Sequence, residues 1–239
     1  MTEYVLITGG SLNIGAAITR RALEDGFRPI VLDVSDPDVE GEVEFHHVDL
    51  SDLDATEALL RQLVQDRNIT RLVNNVGIVR PGSLEELDFK DFEAVMNLNL
   101  RTAILCAQML LPGMRQAGFG RIVNTASRTV LGKEKRSFYA ASKAGLIAAA
   151  RTWALELAAD GITANAVAPG SIATTAFHRN NPPEDPQTRA IIEAIPAKRI
   201  GMPEDVAQAV SFFLDAASGF VNGQVLYVCG GLTVGRAPV

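Results

Sequence analysis

The stretch "SFYAASKAGL", Ser137 to Leu146, places Tyr139 and Lys143 four residues apart at the start of a helical pattern. Side chains at that spacing share one helix face. A phenol with a solution pKa of about 10 is a poor acid or base near neutrality. A neighbouring ammonium lowers that value by favouring phenolate. The pair would then protonate a forming alkoxide, or take a proton from an alcohol. Alone, the spacing arises often by chance and reads as a surface pair. Ser127 changes the weighing: it ends the apolar run "RIVNTAS", 12 residues before Tyr139. A hydroxyl there would hold a substrate carbonyl oxygen, or simply cap the strand.

A second group of residues suits a phosphate. "ITGGSLNIGAAI", Ile7 to Ile18, follows an apolar run and leads into a helical pattern. Glycines in such a turn allow backbone angles that other residues resist and let main chain approach a ligand. N–H groups at the helix start then face the anion. Asn13 stands where such loops usually have glycine. Asn tolerates the left-handed region best among the other residues, so the turn is expected to survive with added bulk near the phosphates. Asp33 ends the next apolar run, 18 residues after Gly15. A carboxylate there accepts from ribose hydroxyls and repels a 2′-phosphate, or is only a solvated strand end. Leu12 and Val34 provide no adjacent base, which favours NAD over NADP.

These residues need a scaffold, and the hydrophobic pattern supplies one. Candidate strands are Tyr4–Thr8, Pro29–Asp33, Val43–Val48, Arg71–Asn74, Arg121–Thr125, Thr163–Ala168 and Gln224–Val228. Amphipathic stretches at Ala16–Asp25, Leu53–Asp66, Phe89–Gln116, Ala140–Ala159 and Glu204–Asp215 lie between them. Strand and helix in alternation predict an α/β fold: a single-domain, doubly wound Rossmann architecture, its seven-stranded parallel sheet covered by helices on both faces. Gly26 and Gly161 follow helices as C-terminal stops, and Pro203 opens one. The Pro-rich stretch "HRNNPPEDPQTR", His178 to Arg189, reads as an inserted loop, not a domain boundary.

The chain has 239 residues, enough for one large core, and a net charge of -6 that argues against a general nucleic-acid binder. Cys106 and Cys229 lack metal-ligand spacing and read as reduced, buried thiols. No metal site is expected. The first strand starts at once, leaving no room for a signal peptide, and no apolar run approaches a membrane span. A cytoplasmic protein without membrane association is expected.

In order along the chain stand "TGGSLNIG", Asp49 in "HHVDL", "NNVG" at 74–77, Asn99 in "MNLNL", Ser127, Tyr139-x-x-x-Lys143 and "PGSIATT" from Pro169. With these motifs the chain resembles the short-chain dehydrogenase/reductase family over nearly its whole length. The resemblance implies a Ser127, Tyr139, Lys143 and Asn99 catalytic set: Tyr139 as general acid/base, Lys143 lowering its pKa and binding the nicotinamide ribose, Ser127 positioning the substrate oxygen. Asn99 would hold a water in a proton relay through Lys143. It also implies cofactor contacts from Gly9, Ser11, Asn13, Ile14, Gly15 and Asp33, then Asp49 and Leu50 around the adenine, Asn75 and Gly77 along the adenosine side, and Pro169, Gly170, Ile172 and Thr174 near the nicotinamide. Two departures stand out, Asn13 for glycine and Cys229 where the family often has Asp.

Among family members the likeness is to 3-oxoacyl-[acyl carrier protein] reductases and NAD-dependent secondary alcohol dehydrogenases, through "GITANAVAPG", "GMPEDVA" and "NGQVLYVCGG". The former usually prefer NADPH, with Arg where this chain has Leu12. Oxidation of a secondary alcohol with NAD is therefore the main expectation and 3-oxoacyl-thioester reduction the alternative. A non-catalytic nucleotide sensor is disfavoured by the intact Ser-Tyr-Lys-Asn set. Arg128 and the charged "GKEKRS" would meet an anionic small-molecule substrate or form a solvated loop. Residues 172–199 are expected to cover the substrate as a lid, with Phe177 and His178 in its wall. The helices at Phe89–Gln116 and Ala140–Ala159 are apolar around much of their circumference. In that family they pair between subunits, which implies a homotetramer.

Overall fold

The apolar runs become strands in the computed structural model, which describes residues 2–235. They are β1 (Tyr4–Thr8), β2 (Arg28–Asp33), β3 (Glu44–His47), β4 (Ile69–Asn74), β5 (Gly120–Thr125), β6 (Ile162–Pro169) and β7 (Val225–Val228). All pair in parallel in one sheet of order β3-β2-β1-β4-β5-β6-β7. Alternate residues serve opposite faces, so continuous apolar runs bury both. Leu6, Leu32, Leu72 and Ile122 point into one core cluster; Ile7, Val31, Val73 and Val123 point into the other.

Helices complete the two outer layers. α1 (Asn13–Glu24) and α8 (Pro203–Leu214) cover one face. α2 (Leu53–Leu63), α4 (Thr102–Ala117) and α5 (Ser137–Leu157) cover the other, where Leu60, Leu110, Met114 and Leu157 are buried. Each such side chain contributes roughly 1.5–3 kcal/mol when fully removed from water. As in the sequence pattern, no helix separates β2 from β3: the two strands pair directly, joined by residues 34–43.

The helical pattern from Phe89 is interrupted. α3 (Phe89–Met96) gives way to one π-helical turn, Asn97–Arg101, before α4 begins. The Thr102 N–H reaches back five residues to the Asn97 carbonyl, inserting one extra residue into the turn. Contrary to expectation, the combined run Phe89–Ala117 is long and apolar enough to cross a membrane by length and composition. Here it lends Cys106, Leu110 and Met114 to the core. Burial pushes the Cys106 thiol up to about 12. Cys229, expected to be buried too, is only partly so, with its Sγ 3.2 Å from Thr233 Oγ1.

The inserted loop is more ordered than its prolines suggested. It folds into α6 (Thr175–Asn180) and α7 (Pro186–Ala194). Thr174 and Asp185 cap them, accepting from the N–H groups of Phe177 and Gln187, and Pro186 takes the first helical position.

Candidate active site

Sheet order reverses between β1 and β4, opening a crevice at the C-terminal strand ends. A cleft of about 800 Å³ lies there, running from Gly9 and Asp33 past Ser127 and Tyr139 to Phe177 and Ile191.

The glycine turn forms one wall. Asn13 adopts the left-handed region, φ 50°, as its residue type allows. Its Oδ1 accepts from the Thr175 N–H at 2.8 Å and the Thr175 hydroxyl at 3.0 Å. The residue that replaces glycine therefore ties the turn to the start of α6. Gly15 has no such latitude, because a Cβ there would lie 1.8 Å from the Gly9 carbonyl oxygen. Asn75 Nδ2 donates to that same carbonyl at 2.8 Å. The Thr8 hydroxyl accepts from the N–H groups of Asn75 and Val76 and holds the next loop against the turn. α1 begins with no side-chain cap and no acid in its first turn. Its leading N–H groups thus lack an anionic partner from the chain, the arrangement that suits a phosphate.

Asp33 borders this wall. Its Oδ2 accepts from the Ser11 N–H at 3.0 Å and its Oδ1 from the Val34 N–H at 2.7 Å. The Ser35 N–H also reaches Oδ1 at 3.3 Å, so of a carboxylate's roughly four acceptor positions one remains. Leu12 and Val34 beside it are about half exposed and apolar.

The proton-transfer group lies on α5 and the end of β5. Lys143 is 2% exposed, and its Nζ donates to the Thr125 carbonyl at 2.8 Å. Burial lowers its ammonium to about 8. Nζ lies 5.8 Å from the centre of the Tyr139 ring. Burial raises the Tyr139 phenol above its ordinary value, opposed by a hydrogen bond with Ser127 and by the Arg136 charge. Ser127 and Arg136 favour the phenolate without overcoming burial, and the Lys143 nitrogen donates to the Thr125 carbonyl. Ser127 does double service: its Oγ accepts from the Thr129 N–H at 3.2 Å and also borders the cleft.

Asn99 stands behind this group. Carried inward by the π turn, it is 1% exposed. Its Oδ1 accepts from the Ile78 N–H at 2.8 Å, and its Nδ2 donates to the Ile78 carbonyl and to Ser142 Oγ, each at 3.0 Å. Ser142 in turn donates to the Tyr139 carbonyl at 2.8 Å. A Cβ on Gly77 would come within 3.1 Å of Lys143 Nζ and 3.2 Å of Asn99 Oδ1. The bare backbone at Gly77 is what lets these groups converge.

Gly9, Asn13, Ile14, Gly15, Asp33, Asn75, Gly77, Pro169, Gly170, Ile172, Thr174, Arg128 and Phe177 all border the cleft. Five expected residues do not. Ser11 is enclosed, with its N–H spent on Asp33. Leu50 belongs to the core, so its side chain cannot line an adenine pocket. Asp49 is exposed to one side and held by Ser51 through its N–H and hydroxyl, which lower its carboxyl. Asn99 reaches the site only through its neighbours. His178 is exposed, since adjacent helical positions point about 100° apart and Phe177 takes the inward one. Missed by sequence reading were Thr8, Thr125, Ser142 and Thr175. Of these only Ser142, three residues after Tyr139 on one helix face, had a readable signal.

Known proteins resemble the chain over nearly its whole length. A family model described as enoyl-(acyl carrier protein) reductase matches residues 10–233. The (2S)-[(R)-hydroxy(phenyl)methyl]succinyl-CoA dehydrogenase subunit BbsD of Thauera aromatica is 37% identical, over 96% of each chain. The 3-oxoacyl-[acyl-carrier-protein] reductase FabG of Thermotoga maritima is 36% identical, over 97% of this chain and 98% of that one. A structure from Beutenbergia cavernae, provisionally named an NAD(P)-dependent gluconate 5-dehydrogenase and holding NADP at low occupancy, superposes with a TM-score of 0.91. It shares 31% identity and covers 98% of this chain and 97% of that chain.

Two outcomes follow from the geometry. Lys143 loses its proton near 8 when folded but near its ordinary 10.5 when unfolded. Between those values the unfolded chain binds more protons, so stability rises with pH through this window. Chemical denaturation at pH 7 and pH 10 should show wild type gaining up to ~3 kcal/mol relative to Lys143→Met; a constant difference would contradict the buried charge. Asn13→Gly should keep the turn but release Thr175. Amide exchange at Thr175 should quicken on the order of tenfold, as for losing one hydrogen bond. Unchanged protection would show that the bridge does not hold α6.

Proposed function

The chain belongs to the short-chain dehydrogenase/reductase family, NAD(P)-dependent oxidoreductases of hydroxyl and keto groups, and we propose that it moves a hydride between NAD(H) and a secondary alcohol or ketone. The observation that carries this reading is Lys143. An ammonium has three donors, and the one protein acceptor it meets among the described residues is the Thr125 carbonyl. The others face a cleft whose glycine turn, uncapped helix start and strand-end carboxylate suit a dinucleotide.

The residues fit that cofactor in order. The α1 start and the Gly9–Gly15 turn would hold the pyrophosphate, Asp33 the adenosine ribose, Lys143 the nicotinamide ribose, and Thr174 the carboxamide. The bound nicotinamide supplies or accepts the hydride. Ser127 holds the substrate oxygen beside the Tyr139 hydroxyl. Tyr139 gives that oxygen a proton in reduction and takes one in oxidation. Lys143, besides holding the nicotinamide ribose, would favour the Tyr139 phenolate through its charge. Asn99 fixes Ile78, Ser142 and, through them, the first turn of α5.

Basic groups along the cleft, among the described residues, are Arg128, Lys133 and Lys143. None adjoins Asp33, and the carboxylate would repel a 2′-phosphate, which supports NAD over NADP. Reduction of a 3-oxoacyl thioester is the second reading, favoured by the likeness to the Thermotoga maritima reductase. Assembly as a homotetramer belongs to the same reading: α5 leaves Leu155 87% exposed on a helix rich in alanine, an apolar surface suited to a second copy.

Tyr139→Phe should lose roughly 100- to 10,000-fold in kcat/KM while still binding the dinucleotide by fluorescence titration. Retained turnover would remove Tyr139 from the chemistry. Silence of the wild type toward ketones and thioesters alike, with binding intact, would point to the nucleotide sensor. Wild type should favour NADH over NADPH by at least about 30-fold, and Asp33→Ala should narrow that gap. A preference for NADPH would overturn the cofactor assignment.

A further inference from the structure

The charges along the cleft are segregated. Among its described lining residues the one carboxylate is Asp33, at the end of β2. Ser127 follows β5, three strands away in the sheet order, or roughly 14 Å at ordinary strand spacing. Around Ser127 and Tyr139 the ionisable groups are cationic. Arg128 follows Ser127 directly and starts the 3-10 turn that Ser127 caps. Lys133 borders the same cleft from the turn that follows.

Neither cation is used by the fold. Among the described residues, ion pairs engage Arg20, Arg21, Arg28, Arg61, Arg67, Arg71, Arg80, Arg115 and Arg199, but not Arg128 or Lys133. Burial, then the charges of Arg136 and Arg128, lower the Lys133 ammonium. Like charges gather at one end of the cleft with no acid beside them among its described lining residues, which favours an anionic ligand there.

We infer that Arg128 and Lys133 form a carboxylate subsite, so that the substrate is a hydroxy or oxo acid whose charged group lies close to the reacting carbon. The inference rests on the reading that Ser127 and Tyr139 hold the substrate oxygen. The adjacency of Arg128 to Ser127 selects the source of the anion. A carboxylate on the substrate itself lies a few bonds from the carbonyl. The phosphates of a carrier thioester lie the full length of a pantetheine arm away, beyond the reach of a group beside the reacting carbon. A planar guanidinium suits a carboxylate bidentately, with the Lys133 ammonium as a second charge.

The test compares 4-oxopentanoate and 5-oxohexanoate with their methyl esters, using NADH and NADPH in parallel. In wild type the acids should exceed the esters on the order of 10- to 100-fold in kcat/KM, the worth of a hydrogen-bonded charge. In the Arg128→Gln/Lys133→Gln variant, folded by circular dichroism, that ratio should collapse toward one; Arg128→Lys should keep part of it. Turnover of acids and esters at equal kcat/KM, or an acid preference untouched by the double variant, would sink the subsite and leave the hydride reading standing. Acetoacetyl-coenzyme A and acetoacetyl-N-acetylcysteamine form the third arm. A preference confined to the coenzyme A thioester and abolished by the double variant would move the cations to carrier phosphates and overturn the assignment. If no ketone is turned over, calorimetric titration with 5-oxohexanoate in the presence of dinucleotide decides. Saturable binding weakened tenfold or more in the double variant supports the subsite while the hydride reading falls. Absence of binding overturns the subsite.

Discussion

An ammonium taken out of water is the constraint on which this site depends. Lys143 is nearly inaccessible, yet one backbone carbonyl is the only protein group that receives its hydrogen bond among the described residues. Such a charge destabilises the empty protein and favours whatever brings further acceptors. Its position is secured from three sides. Thr125 ends β5; Asn124 beside it donates to the Leu146 carbonyl at 3.0 Å, holding α5 against the strand. Asn74 donates to Asn124 at 2.9 Å and joins β4 to the same network. Phe138 packs on Phe92 with ring centroids 5.3 Å apart, anchoring the beginning of α5 on α3.

The opposite wall shows how one substitution is absorbed. Glycine at position 13 would meet only the backbone requirement. Asn meets it with a left-handed φ and spends its side chain on Thr175. The glycine turn and the start of α6 are thereby joined by hydrogen bonds through one residue.

Much of this was legible in the sequence for identifiable reasons. Parallel strands are buried on both faces, so their apolar runs appear as uninterrupted blocks; every one of the seven emerged within a few residues of its expected limits. Tyr139 and Lys143 share a helix face through local spacing alone. The unreadable parts depend on contacts distant in sequence. Asn13 and Thr175 are 162 residues apart, and no local pattern pairs them. The hydrogen bond of Lys143 to Thr125, and the Ser127 and Arg136 groups that oppose burial at Tyr139, reflect side-chain directions within a folded cleft. Leu50 and His178 failed to reach the cleft for the same reason: sequence order gives neighbours, not orientation.

The single π turn at Asn97–Arg101 has a geometric consequence of its own. An α-helix advances about 100° per residue, so one extra residue is a phase shift of that size. α3 and α4 can therefore each present an apolar stripe to a different neighbour although they are continuous in chain. α3 faces α5, and α4 faces β4 and α2. The junction acts as a gear change within one rod, and Asn99 is the tooth it exposes inward. Length through residues 97–101 thus encodes orientation: with one residue fewer, the two stripes would fall back into a common phase, and one of them would turn away from its partner.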